Sequence, residues 1–357
     1  MTTILNSGSN LHISLNRQQT MADLNRRLEL ANQELSTGFK ADIYADLRTR
    51  SAETLSLRAS MDRNENFVTS NKMLDDRMAA TSGALKSIRS SAQKFLDLAV
   101  SNRTMASSTV SEMQTAARAS LELLTGQANT AFQGTSLFSG VDSEAKPIQP
   151  WDEANGGAFS PKALMASIVG GGIVDAADAQ AKIAAIDAVF SDTTAAGSRF
   201  EDVFFNGTPT LDANGQPSPR VTALIDENVA LEYGVQANDP AFRDLLKGLA
   251  MILSADPAQI GDRGAYEAWV KTAVDSVSAG IDGLLDTETR IGTQQNVVSQ
   301  AMTTQDARVN LYRSKVLDLE GVDPYEASTR VMQLQTQLQA TYEISSRMAK
   351  LSFLNFL

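Results

Sequence analysis

Apolar residues recur at alternating steps of three and four along most of this chain, the period of one narrow stripe on an α-helix. Near the start, Met21, Leu24, Leu28, Ala31 and Leu35 keep that repeat. It predicts a helix over residues 13–35, stopped at Ser36-Thr37-Gly38 with Gly38 as a left-handed cap. An irregular passage, 39–47, leads to a long helix over 48–101. There Leu74, Met78, Thr81, Leu85, Ile88, Ala92, Phe95 and Ala99 hold the same seam. After a break at 102–108, a third helix places Val110, Met113, Ala117, Leu121, Leu124 and Ala128 on one side.

The text changes after Gly140. Residues 141–233 hold most of the prolines, and Gly170-Gly171-Gly172 reads as a flexible turn. A short helix is predicted over 176–190. β-prone stretches at 203–205 and 221–225 flank Asn214-Gly215, which suits a hairpin or long turn, and 228–235 reads as a further strand. Helix returns at 240–253 behind Asp239 as cap, and a loop over 255–264 follows. A very long helix over 265–319 then carries Ile281, Leu284, Ile291, Val298, Met302, Val309, Tyr312, Val316 and Leu319, with Gln295 and Gln305 in polar seam positions. Gly321-Val322 breaks it. The last helix has a full start signal: Asp323 as cap, Pro324 at the first turn, and Glu326 placed to return the cap. Its stripe is Val331, Leu334, Leu338, Met348 and Leu351, with Ile344 near the same seam.

The expected fold class is mainly α: a long, antiparallel, coiled-coil-like rod formed by N- and C-terminal arms, with an inserted α+β domain. Five segments are expected: a terminal helix (1–40), an N-terminal arm (41–140), the insert (141–235), a C-terminal arm (236–321) and a second terminal helix (322–357). The two halves mirror each other in order, so the insert is the turning point and the two ends meet at one pole.

Composition narrows the functions. The net charge is −11, which argues against nucleic acid, since that partner needs a basic face to displace counterions. The chain has no cysteine and a single histidine, His12. Disulfides, thiolate metal sites and multi-histidine metal sites are therefore excluded, and a lone His12 reads as a surface residue. No cofactor motif is present, and no stretch approaches the roughly 18 apolar residues of a membrane span. The start lacks the basic-then-apolar pattern of a cleaved signal peptide. The adjacent acids Asp75-Asp76 and Glu201-Asp202 read as solvated faces, and Trp151 and Trp269 as packing anchors.

The terminal helices are where function is expected. Each carries one apolar stripe beyond a break, and little else in the chain is available to cover it. Met21, Leu24, Leu28, Leu35, Val331, Leu334, Leu338, Ile344, Met348, Leu351, Phe353, Leu354, Phe356 and Leu357 are the candidate subunit interface. Burying such side chains contributes roughly 1.5–3 kcal/mol each, a gain recovered between copies.

Three passages resemble a known family. Leu35-Ser36-Thr37-Gly38 is similar to the N-terminal hinge of the flagellin-like axial proteins of the bacterial flagellum. Phe132-Gln133-Gly134-Thr135-Ser136-Leu137-Phe138-Ser139-Gly140 resembles their text where the arm meets the outer domain. Leu351-Ser352-Phe353-Leu354-Asn355-Phe356-Leu357 is most similar to the finish of the hook–filament junction branch. Glu232 to Arg243 is similar to the return into the arm. Ala41 to Leu47 departs from the proline-flanked aspartates that many relatives carry. The resemblance implies a non-enzymatic structural subunit that joins hook to filament by polymerising through its terminal helices. It implies as partners further copies, a neighbouring hook-associated protein and flagellin, with a cytosolic export chaperone on the C-terminal segment. It also implies an extracellular location reached through the flagellar secretion channel without a cleaved signal peptide. Bulk flagellin is the near alternative, and a dimeric helical adaptor or signalling module the distant one.

Overall fold

A computed structural model describes residues 4–104, 109–154 and 159–354. In order, the helices are α1 (Ile4–Thr37), α2 (Ile43–Leu47), α3 (Ser51–Ser101, after a 3-10 turn at Arg48–Arg50) and α4 (Val110–Ala128). A hairpin of β1 (Ala131–Phe132) and β2 (Thr135–Ser136) follows, then α5 (Pro161–Val169), α6 (Ala176–Phe190) and α7 (Phe200–Val203). A second hairpin, β3 (Thr222–Asp226) and β4 (Val229–Glu232), precedes α8 (Pro240–Ser254), α9 (Arg263–Glu320) and α10 (Pro324–Leu354). The chain is thus mainly α-helical, and its described sheets are two antiparallel pairs. The fold divides into two units, Met1–Asn66 with Thr304–Leu357, and Phe67–Thr303.

The second unit holds the main core. The α3 seam residues Met78, Leu85, Ile88, Phe95 and Ala99 are buried, as are Met113, Ala117, Leu124 and Ala128 of α4. Polar contacts fix α3 and α9 in opposite directions: Arg89 to Glu288 at 2.9 Å, and Gln295 Nε2 to Asp75 Oδ1 at 2.8 Å. Asp75 is therefore an acceptor inside the helix pair rather than part of a solvated face, because its seam neighbour in α9 is an amide.

Helix α8 lies against α4, α5 and α6 and approaches α9 closely. A Cβ on Gly280 would sit 2.6 Å from Leu245 Cγ and 2.8 Å from Ala241 O, and one on Gly248 would sit 2.5 Å from Ala273 O. Only glycine permits that spacing. Trp269 anchors the contact, with its indole N–H donating to Met251 O at 3.2 Å. Both tryptophans are buried, as packing anchors would be.

Both hairpins hang from long helices by polar side chains. Arg77 of α3 donates to Thr135 Oγ1 and to Ser136 O, both at 2.6 Å. Asn71 Nδ2 donates to Ile225 O at 2.9 Å, and Gln294 Nε2 of α9 to Glu232 O at 2.6 Å. Gln133 and Gly134, with φ of 50° and 82°, make the two-residue turn of the first hairpin.

The insert is α+β; its sequence predicts no helix at α5 (Pro161–Val169) and a strand where there is none. Residues 203–205 are not a strand. The Asp202 carboxylate accepts the N–H of Gly197 and of Arg199, which caps a short turn of helix ending at Val203 and overrides the β-propensity of its valine and phenylalanines. Asn214-Gly215 does form a turn, closed by a bridge between Leu211 and Pro217. The true strand pair lies later, in register from Thr222↔Glu232 to Leu224↔Ala230.

Candidate functional site

In the first unit, α1 packs against α10. The contact face of α1 is Ala31 (2% exposed) and Glu34 (7%), with Met21, Leu24 and Leu28 half-buried. The contact face of α10 is Ala327 (0%) and Val331 (7%), with Leu334 and Leu338 half-buried. These are three-and-four steps, so the seam read from the sequence is where the two helices meet.

Not every candidate lies on it. Leu35 is exposed because the α1 seam steps to Glu34 at its last turn. Ile344 and Met348 are exposed because the α10 seam continues through Thr341 and Ser345. Beyond Leu338 the seam is polar, and the apolar residues sit on the flank. Met332 and Tyr342 are exposed as well. An open groove of about 620 Å³ runs beside Met332, Gln333, Thr336, Gln337 and Ala340; that lining offers no titratable side chain. The side chains of Leu351, Phe353 and Leu354, and all of Phe356 and Leu357, lie outside the described residues.

The end of α1 and the start of α10 are held by a joint the sequence did not reveal. Gly38, at φ 75°, caps α1 by donating to Glu34 O at 2.8 Å. Phe39 and Gly321 then form an antiparallel bridge. Val322 N–H donates to Gly38 O at 2.9 Å, and Lys40 N–H to Glu320 O at 2.8 Å. Gly321 is required there, since a Cβ would lie 2.4 Å from Leu317 O.

Side chains tighten the joint. Lys40 Nζ donates to Leu319 O at 2.9 Å. The buried Glu34 carboxylate accepts Ala41 N–H at 3.3 Å and Arg330 Nη1 at 3.2 Å. Glu320, fully buried, accepts both arms of Arg58 from α3, with Nε at 3.0 Å. That hydrogen bond holds the Arg58 guanidinium above its usual pKa. At the start of α10, Asp323 Oδ1 accepts Tyr325 N–H at 2.8 Å, as a cap should. Glu326 does not return the cap; its carboxylate accepts Arg330 Nη2 at 3.0 Å instead, because an arginine one turn on outcompetes a backbone N–H. A weak sequence cue existed: an acid, Glu34 or Glu320, stands just before each break, but its arginine partner is in another helix.

The second unit carries a second buried polar cluster. Arg243 donates to Asn238 O at 2.7 Å, to Phe190 O and Glu201 Oε1 at 2.9 Å each, and to Asp192, with its guanidinium 4.5 Å from the Phe200 ring centroid. Glu201 is therefore not on a solvated face: it is the acceptor that ties α7 to α8. The one guanidinium bonds both carboxylates and two backbone carbonyls, so the cluster reads as a clamp. Among the described residues no group of acids or His12 is arranged to hold a metal, and no helix is long and apolar enough to cross a membrane.

Residues 9–143 match the family model for the bacterial flagellin N-terminal helical region, and residues 266–357 match that for the bacterial flagellin C-terminal helical region. No curated protein sequence matches the chain. Among solved structures, a protein described as a flagellar hook-associated protein from Vibrio parahaemolyticus is similar at 12% identity and a TM-score of 0.50, over 77% of this chain and 99% of that one. At that identity the likeness speaks for the fold alone. Bacillus cereus FlgL matches at 13% identity and a TM-score of 0.47, over 74% of this chain and 98% of that one.

Proposed function

We propose a role from one premise: this chain belongs to the bacterial flagellin family, whose N- and C-terminal helical regions it carries on either side of its own middle. It is a flagellar structural subunit, and its finer role is to join hook to filament as the junction protein between them. The observation that carries the assembly reading is the α1–α10 pair. Its seam is closed within one copy, yet Leu35, Met332, Ile344 and Met348 stay exposed around it. Each is about half covered, so completing its burial against a neighbour contributes about 1 kcal/mol. A ring or helix of copies repeats that gain at every contact.

What favours the junction role within the family is the text of the two flanks. Phe132 to Gly140 and Leu351 to Leu357 resemble the junction branch more than bulk flagellin. The partners that follow are further copies, a hook-associated protein on one side and flagellin on the other, and a cytosolic export chaperone on the C-terminal segment before secretion through the flagellar channel. No catalytic role is assigned.

Gene deletion tests the role. Loss of a junction protein leaves hooks in place and releases filament into the medium. Loss of a sole flagellin leaves no filament at all. Deleting residues 350–357 with assembly unchanged would overturn the assembly reading.

A further inference from the structure

Helix α2 is parted from α3 at one residue. Leu47 and Ser51, on either side of the break, have right-handed helical backbone, and the turn between them is 3-10. Arg48 leaves that region, at φ 46° and ψ −110°. Those angles suit the first central position of a type II′ turn, which an L side chain resists and glycine fills. Nothing in the local text asks for a break, since no glycine or proline stands between Ala41 and Asn64. The heptad runs through it in phase. Thr54, Leu57, Met61 and Asn64 step by three and four along α3, and the same steps lead back through Arg50 to Leu47 and Ile43. A second sign of strain lies just inside α3. Thr54 is buried (1% exposed), and its hydroxyl has no hydrogen-bond partner. Thr81 and Thr125 each bond the carbonyl four residues back, at 3.0 and 2.9 Å; for Thr54 that carbonyl belongs to Arg50, inside the 3-10 turn.

The joint supplies the force that keeps Arg48 bent. Lys40 donates from its backbone N–H to Glu320 O and from Nζ to Leu319 O, and Arg58 holds the Glu320 side chain. Lys40 and Arg58 therefore stand at one level, and the chain between them must double back, with its turn at Arg48. At about 1.5 Å per residue, a helix unbroken from Ile43 to Arg58 spans about 22 Å. The chain from Lys40 to Ile43 reaches at most about 11 Å. An unbroken helix would therefore carry Lys40 at least about 11 Å from the level of Arg58, which opens the joint. We infer that the closed joint and a helix running unbroken from Ile43 into α3 are two exclusive states of this chain, with Arg48 as the pivot and Lys40 as the latch. Fusion relaxes Arg48 and brings the Arg50 carbonyl back within reach of the Thr54 hydroxyl. It also sets Asp46 one turn before Arg50, the favourable order for an acid and a base on a helix; in the closed state Arg50 turns to Glu53 at 3.4 Å. Against fusion stand the Lys40 bonds, the Phe39–Gly321 bridge and the Glu34–Arg330 pair. In a flagellar subunit, as read above, the two states give α1 two reaches from α3. The states themselves belong to the separate copy and do not rest on that reading.

The full chain has no cysteine of its own, so nitroxide labels on Ser36→Cys and Ala59→Cys, both at exposed positions, report one distance by double electron–electron resonance in separate copies. With the joint closed, the parent gives a short distance. Lys40→Pro removes both Lys40 bonds and should add a population longer by about 10 Å or more. Adding Arg48→Gly, which frees the bend of strain and weakens a helix interior, should shrink that population by about fivefold or more. Without labels, Arg48→Gly alone should raise the thermal midpoint, whereas Thr49→Gly beside it should lower it. A midpoint lowered by both glycines shows that Arg48 stores no strain and overturns the pivot. A parent without the short distance, a Lys40→Pro chain that keeps only the short distance, or a long population that Arg48→Gly leaves unchanged overturns the pair of states. Each of these results leaves the assembly reading standing, because all are taken on separate copies. Failure of the parent to polymerise, with both states present, would remove the assembly reading and leave the pivot.

Discussion

Arg58 and Glu320 lie 262 residues apart in sequence and form a two-armed ion pair in which the carboxylate is fully buried. Glu320 is also the residue whose carbonyl accepts Lys40 N–H at the joint. Removing the guanidinium leaves a buried anion without its partner, which is more costly than losing the pair as a whole. Arg58→Met should therefore destabilise the first unit by about 2–4 kcal/mol, the lower part of that range reflecting the half-exposed arginine. Replacing both residues, Arg58→Met with Glu320→Leu, should restore much of the loss. A double-mutant cycle by urea denaturation reads this directly, and strictly additive losses would show the pair to be incidental.

Gly280 is one of the narrow points between α8 and α9. Alanine is normally the better helix former by about 1 kcal/mol, so propensity alone predicts that Gly280→Ala stabilises. Sterics predict the reverse, because the new methyl meets Leu245 Cγ and the Ala241 carbonyl well inside contact distance. Backbone has little room to give, so the clash should win, with a net loss of about 1–3 kcal/mol. Gly292, on the same helix with nothing within 4 Å of its would-be Cβ, is the control, and Gly292→Ala should raise the thermal midpoint.

How far the sequence carried this picture depends on the range of the interaction. The seams were legible because each is a local rhythm: Val331, Leu334 and Leu338 announce their face without knowing what covers it. Gly38 and Asp323 were legible for the same reason, since a cap is decided within four residues. The joint was not. Glu34 looks like any surface glutamate until Arg330 is beside it, and Glu320 like the end of a solvated turn until Arg58 arrives. Arg243 is the extreme case, with acceptors drawn from Phe190, Asp192, Glu201 and Asn238. In 203–205 propensity pointed the wrong way because one carboxylate, Asp202, fixed the turn. The interface candidates separate along the same line, for periodicity places Leu35 and Ile344 near the seam while the partner helix decides that they lie outside it.

Asp244 on α8 gives the fold a pH dependence. Burial raises its pKa, helped by the nearby Asp187 and opposed by Lys247. A carboxyl with a raised folded pKa binds its proton more tightly in the folded than in the unfolded chain. Between the two pKa values the folded state holds more protons, so stability falls as pH rises through that window and levels off above it. Asp244→Asn should remove this slope and stabilise the second unit at neutral pH, with little change below the ordinary aspartate range. Urea midpoints across weakly acidic pH check it. A variant that keeps the parent's slope would assign that slope to other groups.

The change in seam character along α10 predicts a gradient of protection in amide hydrogen exchange. Up to Leu338 the face toward α1 is apolar, and at the joint the amides of Lys40 and Val322 are bonded across the Phe39–Gly321 bridge. Past Leu338 the same face presents Thr341 and Ser345, which bury little apolar area and contribute little to holding the helix closed. In the separate copy, amides 327–338 and those of Lys40 and Val322 should therefore exchange at least tenfold more slowly than amides 341–348. In the assembled state, where Ile344 and Met348 gain cover from a neighbour, the slow zone should extend through 348. Uniform protection along α10 in the separate copy would mean that the pair is complete without neighbours. An unchanged gradient after assembly would mean that the contact between copies lies elsewhere.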